Sequence, residues 1–277
     1  MKAQSGAEDR TGTVRERRSQ FELEWLGGPA ASRLRRRRPG VERLPWGTLD
    51  LSGFTPEALL EARRVWTNGA FTEYVSAAGF TALATALLES GAPIDLVAAA
   101  ADCAVDEMLH AELAARLVME LGGAAPFLVD LEKVSPVTSE GARPLLRAAE
   151  LALKISCVGE SLSVPALTTS LRGADQPLPR AVLRRLLRDE GPHARIGDWF
   201  FAWAAEKLSA EDRAHLGAVA RAAIEVYVPS ERASCDCRPP AALGGVLPVD
   251  QRALLAEAVR TKVIPGLARH GIDATVQ

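Results

Sequence analysis

Twice in this chain an Asp-Glu pair is followed, three residues after the Glu, by a His: Asp106-Glu107-Met108-Leu109-His110 and Asp189-Glu190-Gly191-Pro192-His193. On a helix, side chains at i and i+3 share a face about one turn apart. Glu107 with His110, and Glu190 with His193, can therefore each grip one metal ion from one side. A single Glu-x-x-His carries little weight, because helices are rich in Glu and surface His is common. Two copies in a chain with only four His carry much more. A further carboxylate precedes each motif, Glu73 in Phe71-Thr72-Glu73-Tyr74-Val75 and Glu160 in Cys157-Val158-Gly159-Glu160-Ser161. Ala77 and Phe80 follow Glu73 at helical spacing, and Cys157, Val164 and Leu167 share the side of Glu160. A carboxylate on an apolar face is costly to bury alone, so burial implies a metal or a partner.

The elements that must position these groups read as helices. Thr55-Pro56-Glu57 has the order of a helix start: Thr as N-cap, Pro in the first turn, an acid next. The helical pattern runs to Leu88, with a break expected at Asn68-Gly69, and Gly91-Ala92-Pro93 ends it. A second helix runs from Asp95 to Leu121 and stops at Gly122-Gly123. A long connection follows, from Ala124 to about 141. The third helix is expected from Pro144 to Leu171 and the fourth from Arg180 to Leu208, with Ser209-Ala210-Glu211 opening a fifth. A last short helix spans Val249 to Val263. Short links join the first helix to the second and the third to the fourth, which makes antiparallel neighbours; the long link lets the second pair cross over. Counted from the first turn, Glu73 and Glu107 lie at nearly equal height, and Glu160 and Glu190 bracket the second turn in the same way. All six groups can meet in one layer.

This order, Glu, Glu-x-x-His, Glu, Glu-x-x-His, resembles the ligand pattern of the ferritin-like di-iron carboxylate superfamily over about residues 56–208. The resemblance implies an all-α, ferritin-like four-helix bundle with one long crossover between helices 2 and 3, plus extra C-terminal helices. It implies two Fe ions, with Mn/Fe or two Mn as alternatives, bridged by Glu107 and Glu190, the expected catalytic pair. Glu73, His110, Glu160 and His193 would be terminal ligands. In the superfamily the Asp before each motif Glu commonly supports the His of the other motif, so Asp106 would hold His193 and Asp189 would hold His110; otherwise both are exposed helix acids. One departure is Gly191-Pro192 inside the second motif, joined by Pro165 one turn past Glu160. A helix-interior Pro kinks or breaks a helix, so a weakened second metal position or local bulges are expected there.

Composition agrees with helix. Apolar residues make up 48% and are mainly Ala and Leu, while aromatic residues at 5% leave little sheet character. A net charge of −2 makes no case for nucleic acid. No uninterrupted apolar run of membrane-span length and no secretory leader are expected, and a cytoplasmic protein is the reading. Cys103 and Cys157 read as small apolar helix residues; Cys235 and Cys237 are either an incidental pair or a metal or redox pair.

Three domains of sequence follow. Residues 1–50 form an Arg-rich extension (Arg15, Arg17, Arg18, Arg33 and Arg35 to Arg38), read as solvated and partly disordered, with contact to nucleic acid or an acidic partner as the sharper option. Trp25 and Trp46 suggest that parts of it pack on the body. Residues 51–230 are the helical bundle, and 231–277 an irregular segment with a short helix. The resemblance implies an O2-activating oxidoreductase of the oxygenase or oxidase type acting on a small organic substrate. The extra terminal segments and the lack of a rubredoxin-type Cys-x-x-Cys favour that class. A ferroxidase or peroxide-detoxifying protein is the main alternative, and a non-catalytic metal-binding remnant a lesser one. Expected partners are O2 and the substrate, with an electron-donor protein and a second copy of the chain as candidates; neither membrane nor nucleic acid is expected. An oxygenase needs an apolar cavity at the metals, and Tyr74, Trp199, Phe200 and Trp203 are its candidate walls, unless they simply pack in the core.

Overall fold

Long Ala- and Leu-rich stretches with sharp stops make most of this chain helical. The structure is a computed structural model that describes residues 19–228, 239–245 and 248–275. Cys235 and Cys237, with Arg15, Arg17 and Arg18, lie outside the described residues.

A two-residue strand β1 (Ser19–Gln20) and a helix α1 (Gly28–Arg37) come first. In α2 (Pro56–Glu89), the Thr55 side chain accepts the Ala58 N–H at 3.3 Å and Pro56 fills a position that needs no donor. The expected break at Asn68-Gly69 does not occur. Trp66, Thr67 and Ala70 are buried around it, and their packing outweighs the ~1 kcal/mol that one Gly costs a helix. Gly91, at φ +69°, then turns the chain so that Ala92 N–H reaches Leu87 O at 3.0 Å. The helix α3 (Ile94–Glu120) ends the same way, with Gly122 at φ +97° and Gly123 N–H on Val118 O at 3.0 Å. In the connection after it, β2 (Leu128–Val129) pairs antiparallel with β1, Ser19 opposite Val129.

The third long helical path is continuous but not uniform: α4 (Pro144–Ala152), a wide π-helical segment (Leu153–Glu160), then α5 (Ser161–Gly173). It runs through Pro165, and α6 (Pro177–Ala204) runs through Pro192. The local bulge expected at Gly191-Pro192 does not occur: both residues sit on the exposed face and the helix carries on. A capping box of Ser209 and Asp212 opens α7 (Ala210–Tyr227). The chain closes with α8 (Pro248–Ala258), a second π turn (Val259–Val263) and α9 (Ile264–Ala268).

In space, α2 lies along α3, α3 packs on α6, α6 on the π segment and α5, and α4 returns to α2. The apolar interior falls into two clusters. One holds Phe80, Leu83, Cys103, Val158 and Phe200; the other holds Trp66, Ala70, Leu109, Leu113 and Leu186. The sequence motifs sit where one cluster gives way to the other. Two helices, Pro56–Glu89 and Pro144–Gly173, are long and apolar enough to cross a membrane by length and composition, each with a mean hydropathy of 1.2 over its best window. These two helices also carry Glu73 and Glu160.

Where it is described, the Arg-rich arm packs in part on the body, as Trp46 suggested, and two of its arginines are paired rather than solvated. Arg35 pairs with buried Glu112, Arg38 pairs with Asp106, and the Arg116 guanidinium lies 4.1 Å from the Trp46 ring centroid. Buried carboxylates on α3 need cations, and the arm supplies them.

Candidate metal centre

Each of the four long helical paths brings part of the site. Glu73 comes from α2, Glu107 and His110 from α3, Glu160 from the last position of the π segment, and Glu190 and His193 from α6. Glu107, His110, Glu190 and His193 have no exposed surface, Glu160 has 4%, and the Glu73 side chain 16%. Their ligand atoms form two groups, Glu73, Glu107, His110 and Glu190, and Glu107, Glu160, Glu190 and His193. Within each group the chosen atoms all lie within 4.8 Å of one another. Glu107 and Glu190 belong to both.

Both imidazoles turn the same nitrogen inward. His110 Nδ1 lies 3.2 Å from Glu190 Oε1, 3.5 Å from Glu107 Oε2 and 3.9 Å from Glu73 Oε2. His193 Nδ1 lies 2.8 Å from Glu107 Oε1 and 3.1 Å from Glu190 Oε2. The ring centroids are 5.8 Å apart. The outer nitrogens face acids: His110 Nε2 is 3.6 Å from Asp189 Oδ2, and His193 Nε2 is 3.5 Å from Asp106 Oδ2. Such an acid fixes which ring nitrogen keeps its proton and leaves the other free to ligate.

The electrostatics are those of several carboxylates and two imidazoles buried within reach of one another. Burial, then the neighbouring Glu107, pushes Glu73 well above the carboxylate range; burial, then Glu190, does the same to Glu160. Burial also opposes ionisation of Glu107 and Glu190, but the close approach and charge of the two imidazoles hold these two down. Both oxygens of Glu107, both ring nitrogens of His110 and Glu190 Oε1 have no hydrogen-bond partner although buried. Buried polar atoms are nearly always satisfied, so orphans concentrated at one point mark a place built for something else. Carboxylate oxygens and imidazoles fit hard or borderline divalent cations.

Around this centre lie groups that sequence reasoning did not select. Arg185 donates to Asp189 Oδ2 at 2.6 Å and Arg188 to Oδ1 at 2.8 Å, which with His110 holds Asp189 low against its burial. Arg185 also donates to Pro39 O at 2.9 Å, next to the Arg38 that pairs with Asp106. One short stretch, Arg38-Pro39, thereby ties together the supports of both imidazoles. Ser76 donates to Glu160 Oε1 at 3.1 Å, and Ser156 donates to His193 O at 2.6 Å while accepting Gly197 N–H at 2.8 Å. Ser76, Arg185 and Ser156 were within reach of the spacing rules, at i+3 from Glu73, i−4 from Asp189 and i−4 from Glu160; Arg38 was not. Gly197 permits the close approach of α6 to the π segment, since a Cβ there would collide with Cys157 Sγ. Cys157 is a free thiol that burial pushes up to about 12, and Cys103 is free and buried.

A groove of about 990 Å³ reaches Glu73 and Glu160 between α2 and α5. Its apolar walls include Trp66, Phe71, Leu162, Leu167 and Tyr227. The candidate walls named from sequence are elsewhere. Tyr74 packs on Phe21 with centroids 5.6 Å apart, Trp199 is 40% exposed beside Arg195, Phe200 is fully buried, and Trp203 packs on Phe200.

Fold and site together define a predominantly helical protein with a buried Glu/His cluster able to bind metal. The chain matches no family model, no curated protein and no solved structure.

Proposed function

We propose that the protein is a dinuclear metal oxidoreductase, its α2, α3, α4–α5 and α6 forming a ferritin-like four-helix bundle with the long crossover between the second and third. The observation that carries this reading is the pair of ligand groups sharing Glu107 and Glu190. Shared carboxylates bridge, so Glu107 and Glu190 would lie between two ions, with Glu73 and His110 completing one position and Glu160 and His193 the other. Iron suits this donor set, as does manganese. Bound iron would supply the electrons that activate O2. The chain's own part is to exclude water with two apolar clusters, hold both Nδ1 atoms inward through Asp106 and Asp189, and admit a substrate beside Glu73 and Glu160.

The groove supports an organic substrate over iron itself. A ferroxidase must pass a hydrated cation, which an apolar wall disfavours, whereas small-molecule sites are concave and mostly apolar. Reducing electrons would come from a donor protein.

Anaerobic loading with Fe(II) followed by metal analysis tests this. About two ions per chain are expected, the number for which such carboxylate-His sets are built. Glu107→Ala should lose both positions, because it serves both groups, while Glu73→Ala should lose one. No bound iron or manganese in the unaltered protein would overturn the reading, and an unchanged stoichiometry in Glu107→Ala would remove the bridging role.

A further inference from the structure

The groove has a direction. Ser76 meets Glu160, and a Cβ on Gly79 would sit 3.0 Å from Ile155 Cδ1, so α2 and the π–α5 path run antiparallel along it. Its wall on α2 extends from Val65 to Gly79, about 21 Å at 1.5 Å per residue. Its wall on the other path extends from Lys154 to Ser170, and Glu73 and Glu160 stand near the middle of both. One end is floored by Trp66 and Leu183, both buried; Trp66 Nε1 donates to Leu243 O at 2.8 Å and is thereby satisfied. The other end opens between Val137, 82% exposed, and Val226, 77% exposed. Exposed apolar side chains at a cavity mouth invite an apolar occupant.

Charge is sparse along this path. Among the described lining residues Lys154 is the single cation, and Glu73 and Glu160 are the only acids. Lys154 Nζ donates to Val137 O at 2.8 Å and lies 4.0 Å from Glu150 Oε2. An ammonium has three donors, so two remain at the open end. Glu150 is already held by Ser139 N–H at 2.9 Å and by His215 at 2.7 Å.

We propose that the groove binds a long-chain, largely apolar acid, its carboxylate at Lys154 and its chain laid past Glu160 and Glu73 towards Trp66. This names the substrate class of the proposed oxidoreductase and rests on that reading for the role of the two carboxylates. The length and apolar walls favour a long chain over small polar acids, and Glu73 and Glu160 stand beside the middle of that chain rather than its head.

Calorimetric titration of the metal-free full chain with palmitate, methyl palmitate and octanoate tests the proposal, with anaerobic iron loading measured on the same preparation. Palmitate is expected to bind saturably and about a hundredfold or more tighter than octanoate, because of the extra methylenes it buries. Lys154→Met should weaken palmitate about fivefold, the scale of an ion pair at a half-open rim, and leave the methyl ester unchanged. Ala166→Phe, inside the groove, should weaken both. Octanoate binding as tightly as palmitate, or no saturable palmitate binding, overturns the proposal. Equal binding of acid and ester in the unaltered protein overturns the role of Lys154. Iron loading without palmitate binding removes this inference and leaves the metal centre; palmitate binding without iron loading keeps the lipid groove and removes the oxidoreductase.

Discussion

Glu73 and Glu160 carry the main electrostatic cost of this protein. With burial and neighbouring carboxylates raising both, they hold protons at pH values where a free Glu, at about 4.3, has lost its own. Burial opposes the charged form of His110 and His193, but the acids around each ring outweigh it, and both are raised as well. The folded metal-free protein therefore binds more protons than the unfolded chain above about pH 5. Its stability is expected to fall as pH rises from there, in chemical denaturation followed by circular dichroism. Cations must displace those protons, so metal affinity should rise with pH, and loading in weakly buffered solution should acidify it. A loading reaction that releases no protons would contradict this charge arrangement. The pairs Glu107 with His110 and Glu190 with His193 were legible in the sequence because helical spacing alone groups carboxylate with imidazole, whereas Glu73 and Glu160 entered through the resemblance and their apolar faces. The orphaned state of Glu107 and His110 was not legible, since it depends on what four separate elements leave unfilled.

At the scale of elements, two segments set the site in ways the sequence did not announce. The π segment ends on Glu160, and its wide turn faces α6 where Gly197 and Ser156 let the two come close. Wide turns of this kind recur at functional sites. Pro165 and Pro192 warned of irregularity, but the distortion lies before Pro165, and Pro192 sits on an exposed face where the helix carries on. The second segment is α1 with Arg38-Pro39, which reaches Asp106 directly and Asp189 through Arg185. Loss of an outer partner of a ligating His typically costs 10–100-fold in metal affinity. Arg38→Ala is therefore expected to weaken the second iron equivalent, at the His193 position, by about tenfold. Arg38→Lys should restore part of it, and the Glu73 side should be spared. Two equivalents bound as tightly as before would show that the arm only packs. An arginine run read in isolation looks solvated; here its partners lie 68 and 77 positions away.

For the whole molecule, the proposed metal centre would make folding and metal binding one equilibrium. Ligand present at a hundred times its Kd adds about 2.7 kcal/mol, which for a domain of this size raises Tm by about 5–10 °C. Calorimetry of loaded against metal-free protein should show that rise, and Glu107→Ala should abolish it. The sequence by itself determined the helical character, the stops at Gly91 and Gly122, and the pairing of Glu107 with His110 and of Glu190 with His193, because these depend on local spacing, capping and conformational freedom. The tertiary structure decided the rest. Whether Asn68-Gly69 breaks a helix, which aromatic residues wall the groove, and which arginines steady the two imidazoles all follow from contacts between distant segments. Those contacts compete with local preference and are strong enough to override it, and no spacing rule within one element contains them.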